Sequence, residues 1–238
     1  MNAVDIQALE LEYAKKINEE LDITINTMAH DLKTPLTSVL GFSHQMLEKS
    51  LSSDSEDSNH LSKIYLNANY MRDLINSLME FSRIGRAANF IEEIPLHEIL
   101  SEVKLQLHYI IEQKDAVVNL ADALPSINAD KTKAIQLFLN LISNAIKFVP
   151  ESRRPVVDVT CTDSGNRYEI SVTDNGIGID EKHIKHIFKV FHRENEIEVP
   201  GSGIGLAIVK KVADDQDFKI SVKSKMGEGT TFTVSCKK

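Results

Sequence analysis

The chain has 238 residues, a net charge of −8, 42% hydrophobic and 26% charged residues. That length suits one large or two modest domains, and the apolar fraction is enough to build a buried core. The acidic balance leaves no basic footprint for nucleic acid, no apolar run approaches the ~18 residues that span a bilayer, and no secretory signal opens the chain.

A cytoplasmic protein is therefore expected, free or as the cytoplasmic part of a larger sensor. Cys161 and Cys236 lie far apart without metal-ligand spacing, which points to reduced thiols rather than a disulfide.

Leu21, Ile25, Met28, Leu32, Leu36 and Val39 recur every three or four residues. This spacing predicts one apolar stripe of a long helix running from about Val4 to Leu51. Residues 51–58, rich in serine and acid, read as a loop. Leu61, Ile64, Ala68, Met71, Ile75 and Leu78 then form a coiled-coil-like seam, with Gly85 as the C-cap. Two such helices make an antiparallel hairpin with little to bury its seam against. A second copy completes a four-helix bundle, so a homodimer is expected.

From about Phe90 the pattern changes. Residues 96–113 and 130–148 read as helices, followed later by 206–213. Residues 116–120, 156–163, 168–173, 218–222 and 230–236 read as strands. Turns at Ser164-Gly165-Asn166 and at Met226-Gly227-Glu228-Gly229 join antiparallel pairs. The mixture argues an α+β sandwich.

His30 falls at the seam position furthest from the partner helix when Met28 and Leu32 are core positions. Asp31 follows it, and a carboxylate on one ring nitrogen leaves the other as a nucleophile. Pro35 removes one helical hydrogen bond and crowds the carbonyl of Asp31, so the helix should bend or loosen beside the histidine. A breaker inside a strong apolar stripe marks function rather than packing. His44, His60, His97 and His108 read as ordinary surface histidines, and His183 with His186 as a solvated helix face.

Three further segments suit a nucleotide. Asn140 and Asn144 share a helix face with Lys147 just beyond. The amide oxygen of Asn144 could hold Mg²⁺, and Lys147 could meet phosphate; wet-face polarity explains the same residues equally well. Asp174-Asn-Gly176-Ile-Gly178 follows a strand, where glycines let a ligand approach the backbone. The Asp174 carboxylate could accept the exocyclic amine of adenine and so reject guanine; a plain turn is the bland reading. Gly201-Ser-Gly203-Ile-Gly205-Leu206 opens a helix, where free N–H groups attract phosphate. It has neither the Rossmann spacing nor the Lys-Ser/Thr of a Walker loop. The polar stretch between Phe191 and Gly201 suits a mobile lid, with Phe188 and Phe191 on one face of a short helix that anchors it.

Together these segments resemble the sensor histidine kinases of two-component signalling, over nearly all of the chain after Leu21. His30-Asp-Leu-Lys-Thr-Pro35 looks like the phosphoacceptor box, and Asn140 to Lys147 like the N box. Asp174–Gly178, Phe188–Phe191, Gly201–Leu206 and Gly227–Thr230 look like the G1, F, G2 and G3 segments. The resemblance implies an all-α hairpin forming a dimeric four-helix bundle, then a two-layer α+β ATP-binding sandwich of the GHKL (Bergerat) type. It implies three regions: the end of a signalling helix at 1–20, a dimerisation and phosphotransfer domain at 21–88, and a catalytic domain at 89–238.

Carried over residue by residue, it places the nucleophile at His30, the assisting acid at Asp31 and a dephosphorylation role at Thr34. It gives Mg²⁺ to Asn144 and adenine to Asp174. Asn140, Lys147, Gly176, Gly178, Gly201, Gly203, Gly205, Leu206 and Thr230 complete the ATP site. The partner it implies is a response-regulator receiver domain. The lid, with Val-Pro-Gly-Ser-Gly-Ile-Gly, looks closest to the phytochrome-like kinases. The segment after Phe191 departs from the family in being short and acidic, with Arg193 its one basic residue. A clamp ATPase of the gyrase, mismatch-repair or chaperone type has no use for a reactive histidine, and a silent scaffold has no use for intact Asn144 and Asp174.

Overall fold

The computed structural model describes residues 29, 32–34, 36–46, 56–85, 88–190 and 203–238. Most of the first expected helix therefore lies outside the described residues, as do His30, Asp31, Pro35, Phe191 and Gly201. The described chain divides between Arg83 and Ile84 into two compact units.

In the first unit, residues 36–46 form helix α1 and Glu56–Arg83 form α2. Leu36 and Leu40 bury against Ala68, with Tyr65 and Ile75 packed around them. The expected single stripe thus splits. Leu36 turns inward, while Leu32 and Val39 stay exposed. The second helix begins earlier than expected, at Glu56. Arg83 sits in the last turn, and Gly85 leaves the helix at φ +85°, a conformation that costs glycine little.

The second unit is a two-layer sandwich. Its main sheet has five strands in the order β2–β4–β5–β7–β6: β2 (Val117–Leu120), β4 (Val156–Asp163), β5 (Arg167–Asp174), β6 (Lys219–Lys225) and β7 (Gly229–Lys237). β2 runs parallel to β4, and the remaining pairs are antiparallel. Alternation puts Val157, Val159, Ile170, Val172, Phe232 and Val234 into the core. They face α3 (Leu96–Gln106), α5 (Lys131–Lys147) and α7 (Gly205–Asp215), which bury Ile99, Leu137, Phe138, Leu141, Ile142, Ile208 and Val212. The other sheet face is polar, with hydroxyl pairs Ser171–Thr233 and Thr173–Thr231 at 3.0 Å each.

Two strands go beyond the sequence expectations. β1 (Ile91–Pro95) and β3 (Ser126–Asp130) form their own antiparallel ladder, with Ile94 opposite Ile127. The helix expected over 96–113 is broken at Leu107, giving α3 and α4 (His108–Gln113). Leu107 buries while Leu105 and Tyr109 stay exposed, so the helix bends to follow the core. Lys133 Nζ donates to Asp215 Oδ2 at 2.7 Å and also to Asn89 Oδ1. This largely buried pair holds the segment before β1 onto α5 and α7. Cys161 and Cys236 are both free thiols, and burial pushes both up from the ordinary thiol range.

Candidate functional site

α5 starts cleanly because the Asp130 carboxylate accepts the N–H of Lys133 at 3.2 Å, satisfying one of the free donors of the first turn. Its apolar residues take the core face, so Asn140, Asn144 and Lys147 remain half-buried on the other side. Asn140 Nδ2 donates back to the Gln136 carbonyl at 2.9 Å. That turns its Oδ1 toward the start of α7. A β-carbon on Gly205 would stand 2.8 Å from Asn140 Oδ1 and 3.9 Å from Asn144 Nδ2. The N-box face and the second glycine segment therefore meet. Ile204, fully buried, anchors the α7 start. Gly203 turns at φ +69°, and Leu206 is half-buried next to Gly205.

At the end of β5 the Asp174 carboxylate is fixed. Its Oδ1 accepts the N–H of Gly176 at 2.8 Å and of Thr230 at 3.1 Å. Oδ2 takes no hydrogen bond among the described residues. Burial pushes the Asp174 carboxyl above the ordinary carboxylate range, opposed by the two backbone N–H groups. The glycines around it are steric necessities. A β-carbon on Gly176 would stand 2.8 Å from Asp174 Oδ1. Gly178, at φ +74°, and Gly229, at φ +121°, would drive a β-carbon into the carbonyls of Lys225 and Asp174 respectively. Thr230 is 6% exposed. Its N–H serves Asp174 and its hydroxyl lies 2.8 Å from Ser224 Oγ, so it supports the carboxylate from behind.

Among the described residues Phe188 lies in no helix, where a short one was expected, and Phe191 lies outside them. α6 spans only Glu181–Ile184, and Phe188 follows it in a turn, meeting Phe232 edge-on at 6.4 Å. Its place is set by the sheet rather than by a helix face. Thr34 is helical and exposed.

Ser224 and Arg153 carried no sequence signal, and Asn175 was read only as part of a turn. Ser224 accepts from the Ile179 N–H at 2.8 Å. Asn175 accepts the Val156 N–H at 3.0 Å and donates to the Arg154 carbonyl at 2.9 Å. Arg153 reaches across to the same loop. A turn asparagine and a surface arginine look like many others until the fold brings them together. Among the described residues no group of three or more His, Cys, Asp or Glu could hold a metal ion, and no helix is long and apolar enough to cross a membrane.

Comparison with known proteins agrees with this geometry. Residues 129–238 match the family of histidine kinase-, DNA gyrase B- and HSP90-like ATPases. Residues 20–87 match the His Kinase A (phospho-acceptor) domain. Cyanobacterial phytochrome B of Nostoc sp. is 32% identical over 97% of this chain and 31% of its own length. The histidine-protein kinase BarA of Escherichia coli is 29% identical over 98% of this chain and 27% of its own. The autoinducer 2 sensor kinase/phosphatase LuxQ of Vibrio vulnificus is 29% identical over 87% of this chain and 25% of its own. This chain thus spans about a third or less of the length of each of these three relatives.

Among solved structures, full-length ShkA in complex with AMPPNP superposes with a TM-score of 0.67 at 25% identity, over 90% of this chain and 45% of that one. The catalytic domain of histidine kinase ThkA gives 0.54 at 26% identity, over 62% of this chain and 97% of that one. A phospho-acceptor helical domain joined to an ATPase sandwich, matched along nearly its whole length by such relatives, belongs to the sensor histidine kinases of two-component signalling.

Proposed function

We propose that this chain is a protein histidine kinase that moves the γ-phosphate of ATP onto His30 and then passes it to an aspartate of a response-regulator receiver domain. The observation that carries the reading is Asp174. Its carboxylate is held by two backbone N–H groups, and its second oxygen is left for an outside donor. The exocyclic amine of adenine supplies that donor, whereas guanine offers a carbonyl there. The space that a β-carbon on Gly205 would fill, bounded by Asn140 and Asn144, suits the phosphate end of the same ligand. The neighbour ShkA was crystallised in complex with AMPPNP, which supports a nucleotide here.

In this reading Asn144 would hold Mg²⁺ through its amide oxygen, and the ion would supply neutralisation of phosphate charge. Lys147 and the N–H groups at Gly201, Gly203, Gly205 and Leu206 bind the phosphates. Asp31 holds one ring nitrogen of His30. The other nitrogen forms a bond to the γ-phosphorus while the bond to the β–γ bridging oxygen breaks, and ADP leaves with that electron pair. Positioning and charge neutralisation carry the rate. Residues 1–20 serve as the end of a signalling helix, 21–88 as the dimerisation and phosphotransfer domain and 89–238 as the catalytic domain, in a homodimer located in the cytoplasm. Rotation of the bundle helices and opening at Pro35 is the switch we envisage.

Incubation with γ-labelled ATP tests this. The expected product is an acid-labile, base-stable label on the wild type and none on His30→Gln, which still binds ADP. A label that persists in His30→Gln overturns the assignment. Release of phosphate without any protein label would favour a clamp-type ATPase instead.

A further inference from the structure

The loop between α5 and β4 carries Ser152-Arg153-Arg154-Pro155, which none of the nucleotide segments includes. Arg153 folds back across the site. Its Nη1 donates to the carbonyls of Asn175 and of Gly176, the latter at 3.3 Å, and its Nη2 donates to the Gly227 carbonyl at 3.2 Å. These carbonyls belong to two separate loops. One is the turn after Asp174, and the other is the turn between β6 and β7. The first loop provides the Gly176 N–H that holds Asp174 Oδ1, and the second leads directly into β7, whose Thr230 provides the other.

One planar guanidinium therefore ties together both halves of the carboxylate's cradle. The tie is reinforced from below. Asn175 bonds to the backbone at Arg154 and Val156, so the Arg153 segment and the Asp174 turn hold each other. Gly227 donates its N–H to Ile177 at 2.7 Å, which brings the two loops into direct contact beneath the guanidinium. Arginine suits this task because its fork serves several acceptors in one plane, whereas a lysine ammonium is a compact point charge. Arg153 does not act as a charge partner of Asp174, whose shift has burial and the two backbone N–H groups as its causes.

We propose that Arg153 is a positioning residue for base selection: by fixing the separation of the 174–178 and 227–230 loops, it sets where the unpaired Asp174 oxygen meets an adenine amine. This rests on the reading of Asp174 as the adenine acceptor. It extends that reading to a residue that never touches the base.

The test uses the whole chain and four ligands: ADP, GDP, tripolyphosphate and ATP. Arg153→Gln removes the fork, Arg153→Lys keeps the charge, and Asp174→Asn is the control. For Arg153→Gln, ADP affinity is expected to fall about five- to twentyfold, the range for a lost charged hydrogen-bond donor that is partly in water. Binding of GDP and tripolyphosphate should move less than twofold, so the ADP-to-GDP ratio collapses toward that of Asp174→Asn. Arg153→Lys should recover only part of the ratio, and KM for ATP should rise in the same order.

An equal loss for ADP and tripolyphosphate together with a lower melting temperature would reduce Arg153 to a structural residue and overturn the proposal. So would an unchanged ADP-to-GDP ratio in Arg153→Gln when Asp174→Asn lowers it. If Asp174→Asn itself leaves ADP binding untouched, the adenine reading fails first and the Arg153 proposal falls with it.

Discussion

Asn140 and Gly205 meet between α5 and α7, with 2.8 Å separating Asn140 Oδ1 from the point where a Gly205 β-carbon would lie. The neighbour is the end of a side chain, so it can move aside. Gly205→Ala should therefore fold well, because alanine gains up to ~1 kcal/mol over glycine in a helix. ADP affinity should nonetheless fall about tenfold, since the displaced amide and the new methyl occupy the ligand's space. Gly178→Ala and Gly229→Ala meet backbone carbonyls at positive φ and cannot be relieved that way. Each should cost roughly 2–4 kcal/mol of stability. Thermal unfolding alongside nucleotide titration separates the two classes. A Gly205→Ala protein that binds ADP normally would place the ligand elsewhere.

Asp174 sets function against stability. Its folded-state carboxyl lies above the ordinary value because burial disfavours the anion. The native state then holds more protons than the unfolded chain between the two pKa values, so stability falls as pH rises through that window. Above the window Asp174→Asn should be more stable than the wild type without nucleotide, yet bind ADP about ten- to a hundredfold more weakly. Wild-type ADP affinity should also drop on acidification sooner than an ordinary aspartate would cause, and the Asn variant should lack that limb. Melting curves and ADP titrations from pH 4 to 8 read both effects. A wild type and variant with parallel pH profiles would remove Asp174 from the site.

Legibility in the sequence followed the range of each interaction. Periodicity announced α5 and α7 and the strands β4, β5 and β7, because their burial repeats along the chain. It did not announce β1 and β3, whose pairing joins Ile94 to Ile127 and whose short runs carry too little repeat. The break at Leu107 was equally silent, because the residue fits a helix stripe and only the curvature of the core displaces it. The glycines were legible as a set. What each one avoids was not, because Gly178 clears Lys225 and Gly229 clears Asp174, far apart in the chain. The support of Asp174 by Arg153, Asn175 and Ser224 runs largely through backbone groups and leaves no residue pattern to read.

The helical unit exposes an ordered apolar face. Leu32, Val39 and Met46 stand seven residues apart on the first helix, with Phe42 beside them, and Ile64 and Met71 repeat the spacing on α2. Leu36, Leu40 and Ala68 already serve the hairpin's own contact. The exposed set is what a second copy would cover, at ~1.5–3 kcal/mol for each large side chain buried. Val39→Glu with Phe42→Glu should convert a dimer into a monomer that keeps its helical content. Leu40→Ala should instead loosen the hairpin by about 2–5 kcal/mol. Sedimentation and circular dichroism distinguish them. A double variant that stays dimeric would place the interface on another face.

Thr34 follows His30 by four residues in the sequence, the spacing of one helical turn. The neighbouring hydroxyls are committed to the helix: Thr37 donates to the Lys33 carbonyl at 2.8 Å and Ser38 to the Thr34 carbonyl at 3.4 Å. The Thr34 hydroxyl makes no hydrogen bond among the described residues and is exposed. An uncommitted hydroxyl at that offset can hold a water in line with a partner's phospho-aspartate. Thr34→Ala should still label His30 from ATP, because the hydroxyl has no part in attack on the γ-phosphorus. Dephosphorylation of the cognate regulator should slow about tenfold or more, the lower range for one well-placed group. Thr34→Ser, which keeps the hydroxyl, should restore it. The discriminating measurement is the decay of phosphorylated regulator with each variant in the presence of ADP. Equal decay with wild type and Thr34→Ala would mean that the hydroxyl merely precedes Pro35, leaving the chain a kinase alone.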